Sequence, residues 1–263
     1  MSRISKFVVM VLCSIIAAGC APADEGGTPT IRIGLSSEPY PPFSVKGPDG
    51  QWTGWEIEIG EAVCTAMNDN CEFVEIAWDG LIPALISRKV DVIMASLSIT
   101  EERLRTIDFS VKYYDSPAVI VAPKNSSVSA EPNSVAGLTL GVQRATIHLE
   151  YINQYFGAVI DDIKTYQNFD EHNQDLVAGR VDAVVGDSIA MRPFLESAAG
   201  QCCEVKASLV DPVIFGQGAG FGLRKGDAAL KAKLDAAIAS IRADGTYEAI
   251  SAPYFDFDIY GSD

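Results

Sequence analysis

Short apolar runs alternate along this chain with segments of helical period, and proline, glycine or hydroxyl-rich breaks separate them. Residues 31–35 (I-R-I-G-L) alternate as a half-buried strand does, and Pro39, Pro41 and Pro42 then force a loop. Residues 57–67 read as a helix entering a turn, 72–76 as a strand, and Asp79 is placed to cap a helix carrying Leu81, Leu85 and Ile86. Residues 90–94 and 118–122 are further β runs, and 123–132 is a polar loop. A second set follows: a strand at 138–142, a helix at 146–156, a helix end at 176–180, and the strand V-D-A-V-V at 181–185 leading into Gly186-Asp187. The glycines at 216–220 run into F-G-L at 221–223, a strand, which favours a hinge or a close strand approach over a phosphate cradle. Near the end, Leu230, Leu234, Ile238 and Ile241 fall on one helical face closed by Asp244-Gly245. Tyr247, Tyr254, Phe255, Phe257 and Tyr260 read as packing residues.

Alternation of strand and helix predicts an α/β fold. Lys89-Val90-Asp91 parallels Gly179-Arg180-Val181-Asp182, each a basic turn after a helix and before a V-D strand. This weak repeat points to two similar lobes.

The N-terminus changes the compartment. Arg3 and Lys6 precede an apolar stretch, residues 7–19, too short to span a bilayer, so residues 1–23 read as a secretory signal. Two exits are open. Ala17-Ala18-Gly19-Cys20 resembles a lipobox, in which Cys20 carries the lipid anchor; Ala21-Pro22-Ala23 offers ordinary cleavage after Ala23. Residues 24–30 serve as a tether. Cysteine use fits an oxidising compartment. A disulfide between Cys64 and Cys71 would clamp the short turn between helix and strand, whereas Cys202-Cys203 reads equally as a bonded or a reduced pair. A zinc site is disfavoured, because only His148 and His172 exist and neither has ligand spacing to the cysteines. The formal charge of −15, more negative once Arg3 and Lys6 leave, repels nucleic acid and anionic lipid and mildly favours cationic ligands.

Catalytic signatures are missing: no G-x-S-x-G elbow, H-E-x-x-H helix, Walker loop or G-x-G-x-x-G after a strand. Both histidines read as solvated helix residues. A binding constellation stands out instead. The run D-V-I-M-A-S-L-S-I-T-E-E-R at 91–103 takes a strand through Ser96, Ser98 and Thr100 into a helix carrying Arg103, an anion-binding turn with a bidentate guanidinium one turn in. Tyr40 and Trp78 follow successive strands and can sandwich an apolar stem, Thr146 with Gln143 can add donors, and Asp187 can meet an ammonium. Anion clamp, cation partner and aromatic walls describe an amino-acid site.

With these residues the chain resembles the ABC-transporter solute-binding proteins of the polar amino-acid family (family 3), in particular the lysine/arginine/ornithine- and histidine-binding members. The carrying motifs are Y-P-P-F at Tyr40, G-W-E-I-E-I-G at Gly54, the Cys64/Cys71 pair, W-D-G-L-I-P-A-L at Trp78, S-L-S-I-T-E-E-R at Ser96, D-F-S at Asp108, A-G-R-V-D-A-V at Ala178, and D-G-T-Y with Y-F-D-F near the end. The resemblance implies a two-lobed type II periplasmic-binding-protein fold with the ligand between the lobes. Lobe 1 would be residues 31–114 and 216–263, lobe 2 residues 119–211, with hinge strands at 115–118 and 212–215. It implies that Ser96, Ser98, Arg103 and Thr146 hold the ligand carboxylate, Asp187 the ammonium, Tyr40 and Trp78 the side-chain stem, and Glu38 and Glu56 a distal cation. Three departures bear on the ligand's side chain: Ala95 stands where relatives carry serine, the loop before Tyr40 is one residue longer, and Trp78 replaces a phenylalanine. The implied role is non-enzymatic, without cofactor or metal: a monomer capturing a cationic amino acid and delivering it to a membrane permease. The competing roles are capture of another polar amino acid or an opine, a receptor-coupled sensor, and a dehydratase on the same fold, for which Asp187 is the sole candidate acid.

Overall fold

The computed structural model of the protein describes residues 30–261. The signal segment with both cleavage alternatives, Cys20 and residues 24–29 of the tether lie outside the described residues. The chain runs β1 (Ile31–Ser36), a small hairpin of β2 (Val45–Lys46) and β3 (Trp52–Thr53), α1 (Trp55–Met67), β4 (Cys71–Ile76), a 3-10 turn at Trp78–Gly80, α2 (Leu81–Ile86), β5 (Val92–Ile93), α3 (Glu101–Thr106) and β6 (Ile107–Tyr114). It continues through β7 (Ala118–Pro123), β8 (Thr139–Gln143), α4 (Ile147–Tyr151), β9 (Asp162–Tyr166), α5 (Phe169–Val177), β10 (Ala183–Asp187), α6 (Ser188–Glu196) and β11 (Cys203–Leu209), and returns with β12 (Ala219–Arg224), α7 (Ala228–Ala243) and α8 (Thr246–Ser251).

Two five-stranded sheets result, ordered β4-β1-β5-β12-β6 and β11-β7-β10-β8-β9. In the first, β1 lies parallel between β4 and β5; in the second, β8 lies parallel between β9 and β10. Each lobe therefore has a point where successive connections leave a central strand in opposite directions, and such points open a crevice at the strands' carboxyl ends. The two crevices face each other. The predicted helix around Leu234, Ile238 and Ile241 is α7, all three side chains buried. Trp55, Tyr113 and Phe43 are fully buried in the same core, with Tyr247 and Phe255 of the tail packed on Trp55; Phe257, expected to pack, is about half exposed.

Several local expectations change. The expected helix at 146–156 is α4 followed by a π-helical turn at Ile152–Phe156. Asp79 does not cap α2: Gly80 holds that position, and Asp79 instead pairs with Arg144 of the other lobe at 3.1 Å. Of the segments expected as hinge strands, 115–117 and 212–215 are not strands, while Ala118 opens β7. Pro117 and Pro212 lack the N–H a ladder needs, and the Asp211 carboxylate ties the N–H groups of Val213 and Ile214 into a turn. A close backbone approach explains the first glycine of the run: at Gly216, which lies in a turn before β12, φ is +76° and a Cβ would fall 2.0 Å from the Ile99 carbonyl oxygen.

Cys64 and Cys71 form a disulfide from the end of α1 to the start of β4, and Cys202 and Cys203 are bonded to each other. Among the described residues no helix is long and apolar enough to cross a membrane, and no group of three or more His, Cys, Asp or Glu residues is arranged to hold a metal ion.

Candidate functional site

The cleft between the lobes holds a cavity lined by every ligand-site residue the sequence singles out: Glu38, Tyr40, Glu56, Trp78, Ser96, Ser98, Arg103, Thr146 and Asp187. Strand ends deliver seven of them, and Glu56 and Arg103 come from α1 and α3. Glu38 and Tyr40 follow β1, Trp78 follows β4, and Ser96 and Ser98 follow β5, while from the opposite sheet Thr146 follows β8 and Asp187 closes β10.

Arg103 stands in the first turn of α3, whose N-cap is Thr100, its hydroxyl accepting from the Arg103 N–H at 3.2 Å. The guanidinium donates to the Ser98 carbonyl at 3.0 Å and lies 5.9 Å over the Trp78 ring. Burial pulls it down to about 10, against the opposing pull of Glu150, Asp187 and Glu102, so it stays charged at neutral pH. Thr146 caps α4 as Thr100 caps α3: its hydroxyl donates to the Gln143 carbonyl at 2.7 Å and accepts from the Leu149 N–H. Two helix starts, one per lobe, thus meet at the cavity.

Across from Arg103, Asp187 Oδ2 accepts from the Tyr40 hydroxyl. Burial, then the nearby Asp187 charge, holds the Tyr40 phenol well above its ordinary range, so it remains a donor. Phe169 packs edge-on against Tyr40 with ring centroids 5.2 Å apart, and it fits because Gly186 has no Cβ, which would lie 2.7 Å from the Phe169 ring.

The two acidic residues behave differently. Glu38 is buried, which raises its carboxyl, yet bonds from Gln167, Ser36 and the Trp78 N–H outweigh that and hold it below the usual range. The 2.6 Å bond from Gln167 Nε2 crosses the cleft. Glu56 is fully buried in α1, and burial pushes its carboxyl up against the bonds it receives from Tyr113 and Ser96. Oε1 accepts from the Ser96 N–H at 2.6 Å, the Ser96 hydroxyl at 3.2 Å and the Tyr113 hydroxyl, while Oε2 has no partner. Ser96 is held at φ +53°, a conformation that non-glycine residues rarely adopt, and the Glu56 bond fixes its N–H there.

Both histidines depart from expectation. They are buried, His148 in the cavity wall and His172 beside the rings of Phe169 and Tyr166, because their helices turn these positions inward onto the second sheet. Burial, then the charge of His148, pulls His172 down to about 3. Sequence reasoning also missed Gln167, Asn168 and Phe169. A signal was present: Asn168 in N-F-D-E at 168–171 is a helix N-cap that accepts from the Glu171 N–H, while Glu171 accepts from the Gln167 N–H just before the cap, marking a third helix start at a strand end.

Comparison with known proteins places these features. Residues 31–257 match the family described as bacterial extracellular solute-binding proteins, family 3. An L-arginine-binding protein of Pseudomonas aeruginosa is 43% identical over 234 residues, 88% of this chain and 90% of that protein. A histidine-binding periplasmic protein of Escherichia coli K12 is 38% identical over 259 residues, covering 97% of this chain and 99% of its own. Among solved structures, an ancestral arginine-binding protein bound to arginine superposes with a TM-score of 0.78 at 31% identity, covering 86% of this chain and 98% of that one.

Proposed function

This chain belongs to the bacterial extracellular solute-binding proteins of family 3, and from that premise we propose that it captures a cationic amino acid between its lobes and delivers it unaltered to the membrane permease of an ABC transporter. The observation that carries this reading is the division of charge within one cavity. We read Arg103 with Ser98 and the α4 start as the carboxylate clamp, Asp187 as the ammonium acceptor, and the unpartnered Glu56 Oε2 as the acceptor of a distal positive group; these residues line one cavity. The arginine- and histidine-binding relatives support the same ligand class.

Capture follows from this geometry. The ligand's ammonium meets Asp187 from lobe 2 and its carboxylate meets Arg103 from lobe 1, so one zwitterion bonds both lobes and stabilises the closed form. Tyr40, Phe169 and Trp78 flank the methylene stem and add a cation–π contribution of about 0.5–2 kcal/mol. A guanidinium or ammonium near Glu56 favours its ionised form, offsetting the burial that raises it. Lobe 1 (residues 31–114 and 216–263) and lobe 2 (119–211) turn about residues 115–118 and 212–215. We place the protein outside the cytoplasmic membrane as a monomer, anchored through Cys20 or freed by cleavage after Ala23.

A thermal-shift screen over amino acids identifies the ligand class, because a tight ligand raises the midpoint by mass action. Calorimetry with arginine, lysine, ornithine, citrulline and glutamine then tests the distal charge. Citrulline keeps arginine's length without its charge, and the account expects it to bind far more weakly. Equal affinity for arginine and citrulline contradicts the acidic subsite.

A further inference from the structure

His148 lines the same cavity as Asp187 and is 4% exposed. Its Nε2 stands 3.5 Å from Asp187 Oδ1, while Asp187 Oδ2 is engaged by Tyr40. Neither ring nitrogen of His148 has a hydrogen-bond partner. Buried polar groups left unpaired are strongly disfavoured and uncommon. A shift of a few tenths of an ångström brings Nε2 and Oδ1 within charge-assisted hydrogen-bond range. The Phe215 ring flanks the imidazole with centroids 6.1 Å apart, limiting where the ring can turn.

We propose that His148 is the positioning residue of the ammonium subsite: its Nε2–H holds and aims the Asp187 carboxylate at the ligand's ammonium. The proposal rests on Asp187 as the ammonium acceptor. Tyr40, from the loop after β1, engages the other carboxylate oxygen, and its phenol stays a donor because burial holds it well above its ordinary range. Two donors on two oxygens restrict how the carboxylate can turn in the cavity.

The test is calorimetry with L-arginine at pH 7.5 on wild type, His148→Gln, His148→Leu and Asp187→Asn, and on each His148 variant combined with Asp187→Asn. His148→Gln keeps a donor and is expected to bind within about threefold of wild type, whereas His148→Leu, which has no donor, is expected to bind roughly tenfold more weakly than His148→Gln. In the Asp187→Asn background the difference between the two His148 variants is expected to vanish. If His148→Leu binds as His148→Gln does, if their difference survives in Asp187→Asn, or if His148→Gln itself falls more than about tenfold below wild type, His148 is a packing residue and the proposal is overturned. If Asp187→Asn binds arginine as wild type does, the ammonium-acceptor reading itself fails, which is a different result.

Discussion

Asp91 and Asp182 occupy equivalent places in the two lobes. The Asp91 N–H donates to the Arg32 carbonyl at 2.8 Å and its carboxylate accepts from the Arg32 N–H; the Asp182 N–H donates to the Thr139 carbonyl at 2.8 Å and its carboxylate accepts from the Thr139 N–H. Each aspartate thus clamps the incoming end of its lobe's central strand, β1 or β8, so that the outgoing end reaches the cleft in register. The sequence repeat of a basic turn before V-D is the trace of this shared device.

In lobe 1 the clamp is reinforced. Asp91 also takes the Arg32 guanidinium at 2.9 and 3.0 Å and Arg224 at 3.2 Å. Burial raises its carboxyl, but the bonds from Arg32 and Arg224 outweigh this and hold it below the ordinary range. A lowered folded-state carboxyl contributes stability that is full above the unfolded value, roughly pH 4, and is lost as pH falls through the folded one. Asp91→Asn should therefore lower urea-unfolding stability by about 1.5–3 kcal/mol at pH 7. The gap should narrow below pH 4, and arginine affinity should be unaffected. A gap that does not narrow in acid would show that the charge of Asp91 is unimportant.

Glu56 gives the opposite sign. Its carboxyl is raised by burial, so its stabilising contribution is present below the unfolded value, roughly pH 4.3, and is lost as pH rises through the folded one. Glu56→Gln should leave melting temperature unchanged near pH 4, raise it above wild type at pH 8, and weaken arginine binding at least about tenfold by removing the charge. Differential scanning calorimetry across pH 4–8 with parallel titrations checks both halves. A variant less stable than wild type at pH 8 contradicts the burial assignment.

Much of this site is legible before the structure because capping chemistry and strand ends are local. Ser96, Ser98, Thr100 and Arg103 sit in one turn, and Thr146 starts a helix by the same rule. What the sequence hides depends on distant partners. Asp79 looks like a cap until Arg144, from the other lobe, comes within 3.1 Å. His148 and His172 look solvated because their neighbours in sequence are polar, whereas burial is set by which helix face meets the second sheet. The β9 strand, D-I-K-T-Y, carries too few apolar residues to announce itself, and with it went Gln167, Asn168 and Phe169.

Asp79 and Arg144 form an exposed ion pair across the cleft, beside a 3.1 Å bond from Trp78 Nε1 to the Ala145 carbonyl. Exposed pairs contribute about 0.2–1 kcal/mol and are screened by salt. Arg144→Ala should speed arginine release by no more than roughly fivefold, with the difference shrinking in 0.5 M salt (on the order of a 4 Å Debye length). Stopped-flow fluorescence reads this directly, and a salt-independent change would refute an ion-pair latch.

The Cys64–Cys71 bridge closes a loop with a sequence separation of 7. On the loop-entropy model this stabilises by about 2–3 kcal/mol. Replacing both cysteines with alanine should lower denaturant stability by that amount while leaving arginine affinity intact, since neither residue lines the cavity. Intact mass with and without reductant should differ by the two hydrogens of this bridge, in addition to any from Cys202–Cys203, and free thiols at 64 and 71 in secreted protein would contradict the pairing.

The central claim is that Arg103 from one lobe and Asp187 from the other hold a single zwitterion. Isothermal titration of L-arginine into Arg103→Ala tests it most directly, with the melting temperature of the ligand-free variant as the control for folding. The account predicts a loss of about 2–5 kcal/mol in binding free energy, with that melting temperature little changed. Wild-type affinity in Arg103→Ala would contradict the carboxylate clamp.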